Sequence, residues 1–317
     1  MKLTQWLTHL LPILVILTAC TDSQNNTGFS HDKVKFIAEW GSKGTGDGQF
    51  LYIEDFDQDY QGNLWVTDAL RADVQQFNAS GHYIGRFGGK GTHAGNLKKP
   101  EGVIVDGDGN IFVSDYLSGF INKYDKNLNA VVAFSGLGDE PGKTIEAEFM
   151  ALSDDGLLYL AEAGNHRVSV FSRDGLFQFS FGSEGAGKGQ MVRPKDVAFD
   201  SKQNVYVSDF GNHRVQVFDK KGHHLRSIGQ EGTAPGEFRR PVGLAIDKQD
   251  RLYVTDNGNN RVQIFAATGN VIAVWGGKGS KIGEFGNLHG IHVGANNKIY
   301  VADTANNRIQ IFQLIEN

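Results

Sequence analysis

Apolar and polar residues alternate along most of this chain, in runs of five or six residues broken by turns of Gly, Asp, Asn and Lys. Residues 196–229 show the pattern as "DVAFD" (196–200), "NVYVSD" (204–209), "RVQVFD" (214–219) and "HLRSIG" (224–229). A period of two puts alternate side chains on opposite faces of a strand, so these runs predict four short antiparallel strands. The unit repeats. "GNLWVTD", "GNIFVSD", "GLLYLAE", "QNVYVSD", "DRLYVTD" and "NKIYVAD" end at Asp68, Asp115, Glu162, Asp209, Asp256 and Asp303, each 47 residues after the last. Four strands in a copy of about this length is the pattern of a propeller blade, so the fold expected is all-β, a six-bladed β-propeller. An open solenoid would need distinct capping copies. Here the two ends complement each other. The last copy stops after its third strand, "RIQIFQL" (308–314), while "KFIAEWG" (35–41) matches the fourth strands "NVIAVWG" (270–276) and "HYIGRFG" (82–88). The N-terminal strand is expected to complete the last blade and so pair an edge that would otherwise invite aggregation.

The motifs carry a family resemblance. "YVSDFGNHRVQVF" (206–218), "YLAEAGNHRVSVF" (159–171), "YVTDNGNNRVQIF" (253–265) and "YVADTANNRIQIF" (300–312) resemble NHL repeats, and "RPVGLAID" (240–247) resembles their first strand. The resemblance covers about residues 35–317 and implies an NHL β-propeller. It implies no single activity, because propellers support unrelated functions.

The N-terminus breaks the pattern. "MKLTQWLTHLLPILVILTAC" has a positive start at Lys2 and an apolar run too short to span a bilayer, as in a secretory leader. Leu17-Thr18-Ala19-Cys20 resembles the bacterial lipobox, which implies cleavage before Cys20 and acylation of that residue. The domains expected are a leader at 1–19, a lipid-anchored tether at 20–33 and the propeller at 34–317. The protein would then sit on a membrane of the bacterial cell envelope, on the extracytoplasmic side. Thr21, rather than Asp, follows the cysteine and leans towards the outer membrane. Cys20 is the only cysteine, which excludes an internal disulfide and a cysteine-based zinc site. The net charge is −5, and −6 once residues 1–19 with Lys2 are removed, so nucleic acid is not an expected partner.

Two motifs lose their appeal in this context. "GSEGAGKG" (182–189) approaches a phosphate-binding loop, but Gly189 stands where Ser or Thr is needed and the stretch joins two strands. "DGDGN" (106–110) starts like a calcium loop but continues with Ile111 and Leu117 at the positions that need Gly and Glu. Arg167, Arg214, Arg261 and Arg308 of the "NHR"-type turns are expected to pair with carboxylates or carbonyls between blades.

The period aligns equivalent positions without any other sequence. His289 heads a series with Val242, Lys195, Glu148, Glu101 and Glu54, all at the start of first strands, which line the channel of a propeller. Three residues on, a second tier holds Asp57 and His292 on adjacent blades, with Asp57 placed to hydrogen-bond the imidazole. Two readings of the first tier are open. It is a polar mouth in which Lys195 neutralises the carboxylates, or it is a ligand or metal site built from Glu54, Glu101, Glu148 and His289. "LHGIHV" (288–293) resembles the zinc segment of peptidyl-amidating lyase propellers, which implies three zinc-binding histidines, of which only His289 is matched. Gly290 replaces the acidic residue of that segment. The acidic ring also resembles the calcium sites of lactonase-like propellers, without their sequence pattern. Calcium or zinc is therefore the candidate cofactor.

Blades one and two replace the "GNHR" turn by "LRAD" (70–73) and "LSGF" (117–120). Tyr116, Leu117 and Phe120 form a candidate partner surface beside the ring. The function expected is a lipid-anchored scaffold that binds a small molecule or a protein through one face. The alternative is a metal-dependent hydrolase or lyase, lactonase-like or amidating-lyase-like, at the channel mouth.

Overall fold

The computed structural model describes residues 31–315, apart from Thr92 and Ala295. The leader, Cys20 and the tether up to residue 30 lie outside the described residues. The strands form six separate four-stranded antiparallel sheets. Blade 1 runs outward from the channel as Ile53–Gln58, Leu64–Asp68, Asp73–Phe77 and Tyr83–Gly88. The first strands of blades 2 to 6 are Pro100–Val105, Ala147–Leu152, Pro194–Phe199, Pro241–Ile246 and Leu288–Val293. Blade 6 takes its outermost strand, Val34–Trp40, from the start of the chain. That strand pairs antiparallel with Arg308–Leu314, Val34 opposite Leu314 and Trp40 opposite Ile309. The closure read from the two incomplete ends is the closure observed.

The core lies between blades, not inside one. One cluster joins Tyr253, Ile264 and Trp275 of blade 5 to Leu288, Ile299 and Phe312 of blade 6. Another joins Val66 and Phe77 of blade 1 to Tyr300 and Ile311 of blade 6. Second strands such as Val205–Asp209 are buried throughout because neighbouring blades cover both faces. Fourth strands such as His224–Ile228 alternate between exposed and half-buried positions because only one face is covered.

Residues that recur from copy to copy hold the blades in register. The terminal aspartates of the second strands cap the turns that lead into their own blades: Asp209 accepts the Val192 N–H at 2.8 Å, and Asp256 accepts that of Arg239 at 2.7 Å. The arginines behave as expected. Arg214 donates to Asp209 at 2.9 Å and to the carbonyls of Gly187 and Gln190 in the inter-blade turn, at 2.8 and 2.9 Å. The histidines of the "NHR" turns serve the backbone. His166 and His213 sit at φ of 55° and 57°, in the left-handed region a tight strand-to-strand turn demands. Their Nδ1 atoms accept the Arg193 and Arg240 N–H groups of the next blade, at 3.1 and 3.0 Å. No helix among the described residues is long and apolar enough to cross a membrane.

Candidate functional site at the channel mouth

Every first strand carries a register irregularity near its start, between Ile53 and Phe56 in blade 1 and between Leu288 and Ile291 in blade 6, with the equivalents in between. A bulge leaves a residue out of the ladder and re-aims its side chain. The aligned positions fall inside these irregularities, and Glu54, Glu101, Glu148, Lys195, Val242 and His289 line a single cavity of about 320 Å³. Hydroxyls on the second strands fix the ring across blade boundaries. Thr67 donates to the Glu101 carbonyl at 2.6 Å, Ser114 to that of Glu148 at 2.5 Å and Thr255 to that of His289 at 2.7 Å.

The three glutamates are almost fully buried, and each has one close partner. His289 Nδ1 contacts the Glu54 carboxyl. The Asn287 amide nitrogen lies 3.1 Å from Nε2, and with that N–H donating, the imidazole keeps its proton on Nδ1 and donates it to Glu54. Lys99 donates to Glu101 at 2.5 Å, and Lys195 donates to Glu148. Burial pushes the Glu54 and Glu101 carboxyls up to about 8 against the pull of Lys99, and that of Glu148 up to about 7 against Lys195. Burial pushes the His289 imidazole down to about 4. It would lower both lysines too, but Glu101 beside Lys99 and Glu148 beside Lys195 hold their ammonium groups above the ordinary value. At neutral pH the histidine is uncharged and the carboxyls are partly protonated, while both ammonium groups keep their charge.

The cations lie against aromatic faces. Lys99 Nζ is 3.9 Å from the Tyr116 ring centre, and Lys195 Nζ is 5.7 Å from that of Phe210. The Arg240 guanidinium lies 5.8 Å from the Phe210 ring and makes no ion pair among the described residues. Tyr52 meets His289 edge-on at 5.5 Å.

This donor set does not fit a divalent cation. Two of the four expected ligands already face an ammonium group, and the other two, Glu54 and His289, face each other, so each is already engaged. Among the described residues no group of three or more His, Cys, Asp or Glu is placed to hold a metal. The calcium or zinc site expected from Glu54, Glu101, Glu148 and His289 is not assembled in this arrangement.

The second tier lies in another cavity of about 420 Å³, which His292 and Asp57 line with Asp55 and Asp196. His289 and His292 thus belong to different chambers of the channel. The expected hydrogen bond from His292 to Asp57 is replaced by a looser approach of 3.7 Å. Asp57 instead accepts the Val105 N–H of blade 2 at 2.8 Å and the Gln58 N–H at 2.8 Å, which fixes its orientation. Asp55 and Asp196 act alike, capping Val103 and Leu244 of the next blades at 3.3 and 2.6 Å. Burial raises both carboxyls, that of Asp196 to about 8.

The proposed partner surface divides in two. Tyr116 faces the mouth beneath Lys99. Leu117 is 56 % exposed, and Phe120, 40 % exposed, lines a separate outer cavity. Sequence reasoning missed Lys99, Arg240, Asp55 and Asp196. Lys99 stands just before the strand Pro100–Val105 and two residues before Glu101, where the register irregularity makes alternation no guide to its direction.

A closed ring of six four-stranded blades with a polar mouth defines a six-bladed β-propeller. Residues 191–218, 238–265 and 285–312, in blades 4, 5 and 6, match the NHL repeat, so three of the six blades carry it. No curated protein matches it in sequence. Solved structures share the fold. Virginiamycin B lyase from Staphylococcus aureus is 14% identical with a TM-score of 0.61, covering 89% of this chain and 100% of its own. A gluconolactonase from Xanthomonas campestris is 14% identical with a TM-score of 0.63, covering 91% and 99%. An auxiliary nutrient binding protein from Bacteroides ovatus is 14% identical with a TM-score of 0.64, covering 90% and 77%.

Proposed function

We propose that this propeller is a binding scaffold whose ligand, an organic anion, enters the mouth ringed by Glu54, Glu101, Glu148, Lys195 and His289. The observation that carries the reading is the charge distribution at the mouth. Lys99, Lys195 and Arg240 line it, Arg240 has no carboxylate partner among the described residues, and the carboxyls present are pushed towards their neutral forms. The aromatic faces of Tyr116 and Phe210 add apolar contact area beside these charges, as in other small-molecule sites. Lipid on Cys20 would hold this scaffold on the extracytoplasmic face of a membrane, so that the mouth samples the envelope. The nutrient binding protein of the same fold agrees with such a role.

The test is calorimetric titration of a panel of small carboxylates and phosphate esters into protein that starts after Cys20. A saturable binder that loses at least tenfold in affinity with Arg240→Ala supports the proposal. A panel without binders, or binding indifferent to Arg240→Ala, removes it. Labelling of cells with an alkyne fatty acid, compared with Cys20→Ala, tests the anchor.

The Glu54–His289 contact favours one second reading, a hydrolase or lyase that uses this pair for proton transfer. A lyase and a gluconolactonase are built on the same fold. Turnover of gluconolactone or of a streptogramin B, lost with Glu54→Gln and His289→Ala, would move the assignment to an enzyme.

A further inference from the structure

The six blades share a niche that lies outside the channel, between the third strand and the Gly-rich turn leading into the same blade. In five of them an arginine fills it. Arg167 donates to the carbonyls of Glu140 and Lys143, Arg214 to those of Gly187 and Gln190, Arg261 to those of Ala234 and Glu237, and Arg308 to those of Lys281 and Glu284. Each of these also pairs with the terminal acid of its second strand, at 2.7 to 3.1 Å. Blade 1 has Asp73 where the arginine belongs, yet Arg71 reaches in from another position. It donates to the carbonyls of Gly46 and Gln49, at 2.8 and 2.6 Å, and pairs with Asp73.

Blade 2 keeps the acceptors and lacks the cation. Phe120 takes the arginine position, Ser118 that of Asn212 and Asn122 that of Gln216, so three side-chain donors seen in blade 4 are lost together. The acid remains. Asp115 is 1 % exposed, and among the described residues its carboxylate is met only by backbone N–H groups, from Lys98, Lys99 and Ser118. A carboxylate has about four acceptor sites, so one is left for a further donor. A cavity of about 490 Å³ opens at this place, lined by Asp115, Asn122, Phe120, Ala130 and Val132. The neighbouring lysines do not substitute for the arginine. Lys123 is committed to the Arg173 carbonyl at 3.0 Å and to Asp174 at 3.6 Å. Lys98 is exposed at the edge and makes no ion pair among the described residues, so water and salt screen its charge.

We infer that the blade 2 niche is a binding site for a guanidinium group, supplied by free arginine or by an arginine side chain of a partner polypeptide. The planar fork would take the place that Arg214 or Arg261 holds in its own blade, on Asp115 and the carbonyls of His93 and Asn96. The Phe120 and Val132 walls would cover its methylene stem. The niche shares no lining residue with the mouth. It also gives Phe120, exposed in the turn, a role as one wall of the niche.

Asp115→Asn also disturbs the turn it caps, so the decisive variant is Phe120→Arg, which supplies the missing side chain from within. Binding is measured by calorimetry on protein that starts after Cys20, with L-arginine, a blocked Gly-Arg-Gly peptide, and the same peptide with lysine or citrulline. Saturable binding of an arginine probe is expected, at least tenfold weaker for lysine and citrulline, abolished by Phe120→Arg, and unchanged by Arg240→Ala at the mouth. A higher melting temperature for Phe120→Arg is expected as well, since the niche is then filled. Binding of free arginine alone assigns the site to a small molecule, and tighter binding of the peptide assigns it to a protein partner. Absence of binding by both arginine probes, equal binding of lysine, or full binding by Phe120→Arg overturns the inference.

Discussion

Replacing Lys195 by Met leaves Glu148 buried without the ammonium group that faces it. The expected loss depends on pH, and the sign follows from the Glu148 carboxyl. Its folded-state value of about 7 lies above the ordinary 4.5, so the folded protein binds this proton more tightly than the unfolded chain. The stability this group contributes is therefore complete below about 4.5 and declines as pH rises towards 7. Without Lys195 the folded-state value moves higher, and the decline continues past 7. At pH 5.5 Glu148 is protonated in both proteins and the variant loses only a hydrogen bond, about 1 kcal/mol. Above 7 the difference grows by about 1.4 kcal/mol per pH unit, adding about 3 kcal/mol by pH 9, within the roughly 3–5 kcal/mol that breaking a buried pair costs. Urea unfolding followed by tryptophan fluorescence at pH 5.5, 7 and 9 measures it, in the parent, Lys195→Met, Glu148→Gln and the double variant. The double variant should recover most of the loss at pH 9. Equal losses at pH 5.5 and 9, or zero coupling between the two substitutions, would refute the reasoning.

Three further outcomes are expected. His289 is held near 4, below its ordinary value, so the folded state disfavours its proton and its contribution to stability rises between about pH 4 and 6.5; His289→Ala should flatten that part of the stability profile, and an unchanged slope in urea titrations would count against the assignment. A Cβ on Gly243 would lie 2.5 Å from the His289 carbonyl oxygen, so Gly243→Ala should cost about 1–3 kcal/mol or more, and a calorimetric melting temperature equal to the parent's would show that the blades part easily. Arg261→Ala strands the fully buried Asp256 and should cost about 3–5 kcal/mol in urea, whereas a loss under about 0.5 kcal/mol would mean that Asn259 and Gln263 suffice.

The blades were legible because one spacing, 47 residues, governs all six copies and because strand alternation survives in each. The ring was legible for the same reason, since equal spacing on equivalent strands means equal height in the channel. What the spacing does not encode is the direction of a side chain at a bulge. Glu54 and Asp55 are neighbours in sequence, yet one lines the mouth and the other the chamber beyond it, because the irregularity in the first strand breaks strict alternation. The pairing of the ring carboxyls was hidden on a similar point. Counting carboxylates around the ring identified the negative groups, but Lys99 lies two residues outside the aligned position and reaches in to Glu101. The Asp57–His292 pair was placed on the right blades, but competition from backbone N–H groups for the carboxylate was invisible in the sequence.

The joint in blade 6 sets an order of events in time. The strand Val34–Trp40 is paired with Arg308–Leu314, so a chain that emerges N-terminus first presents this strand about 280 residues before its mate. At about 5–20 residues per second that delay is roughly 14–56 s. Through that interval the segment must stay soluble and uncommitted while five complete sheets form behind it. Its sequence suits the wait: Lys35 and Glu39 interrupt the apolar residues, so the unpaired strand carries charges of both signs. Completion of the fold is thus a late event that reports on the integrity of the whole chain, because a product truncated before residue 308 has nothing to receive its own beginning.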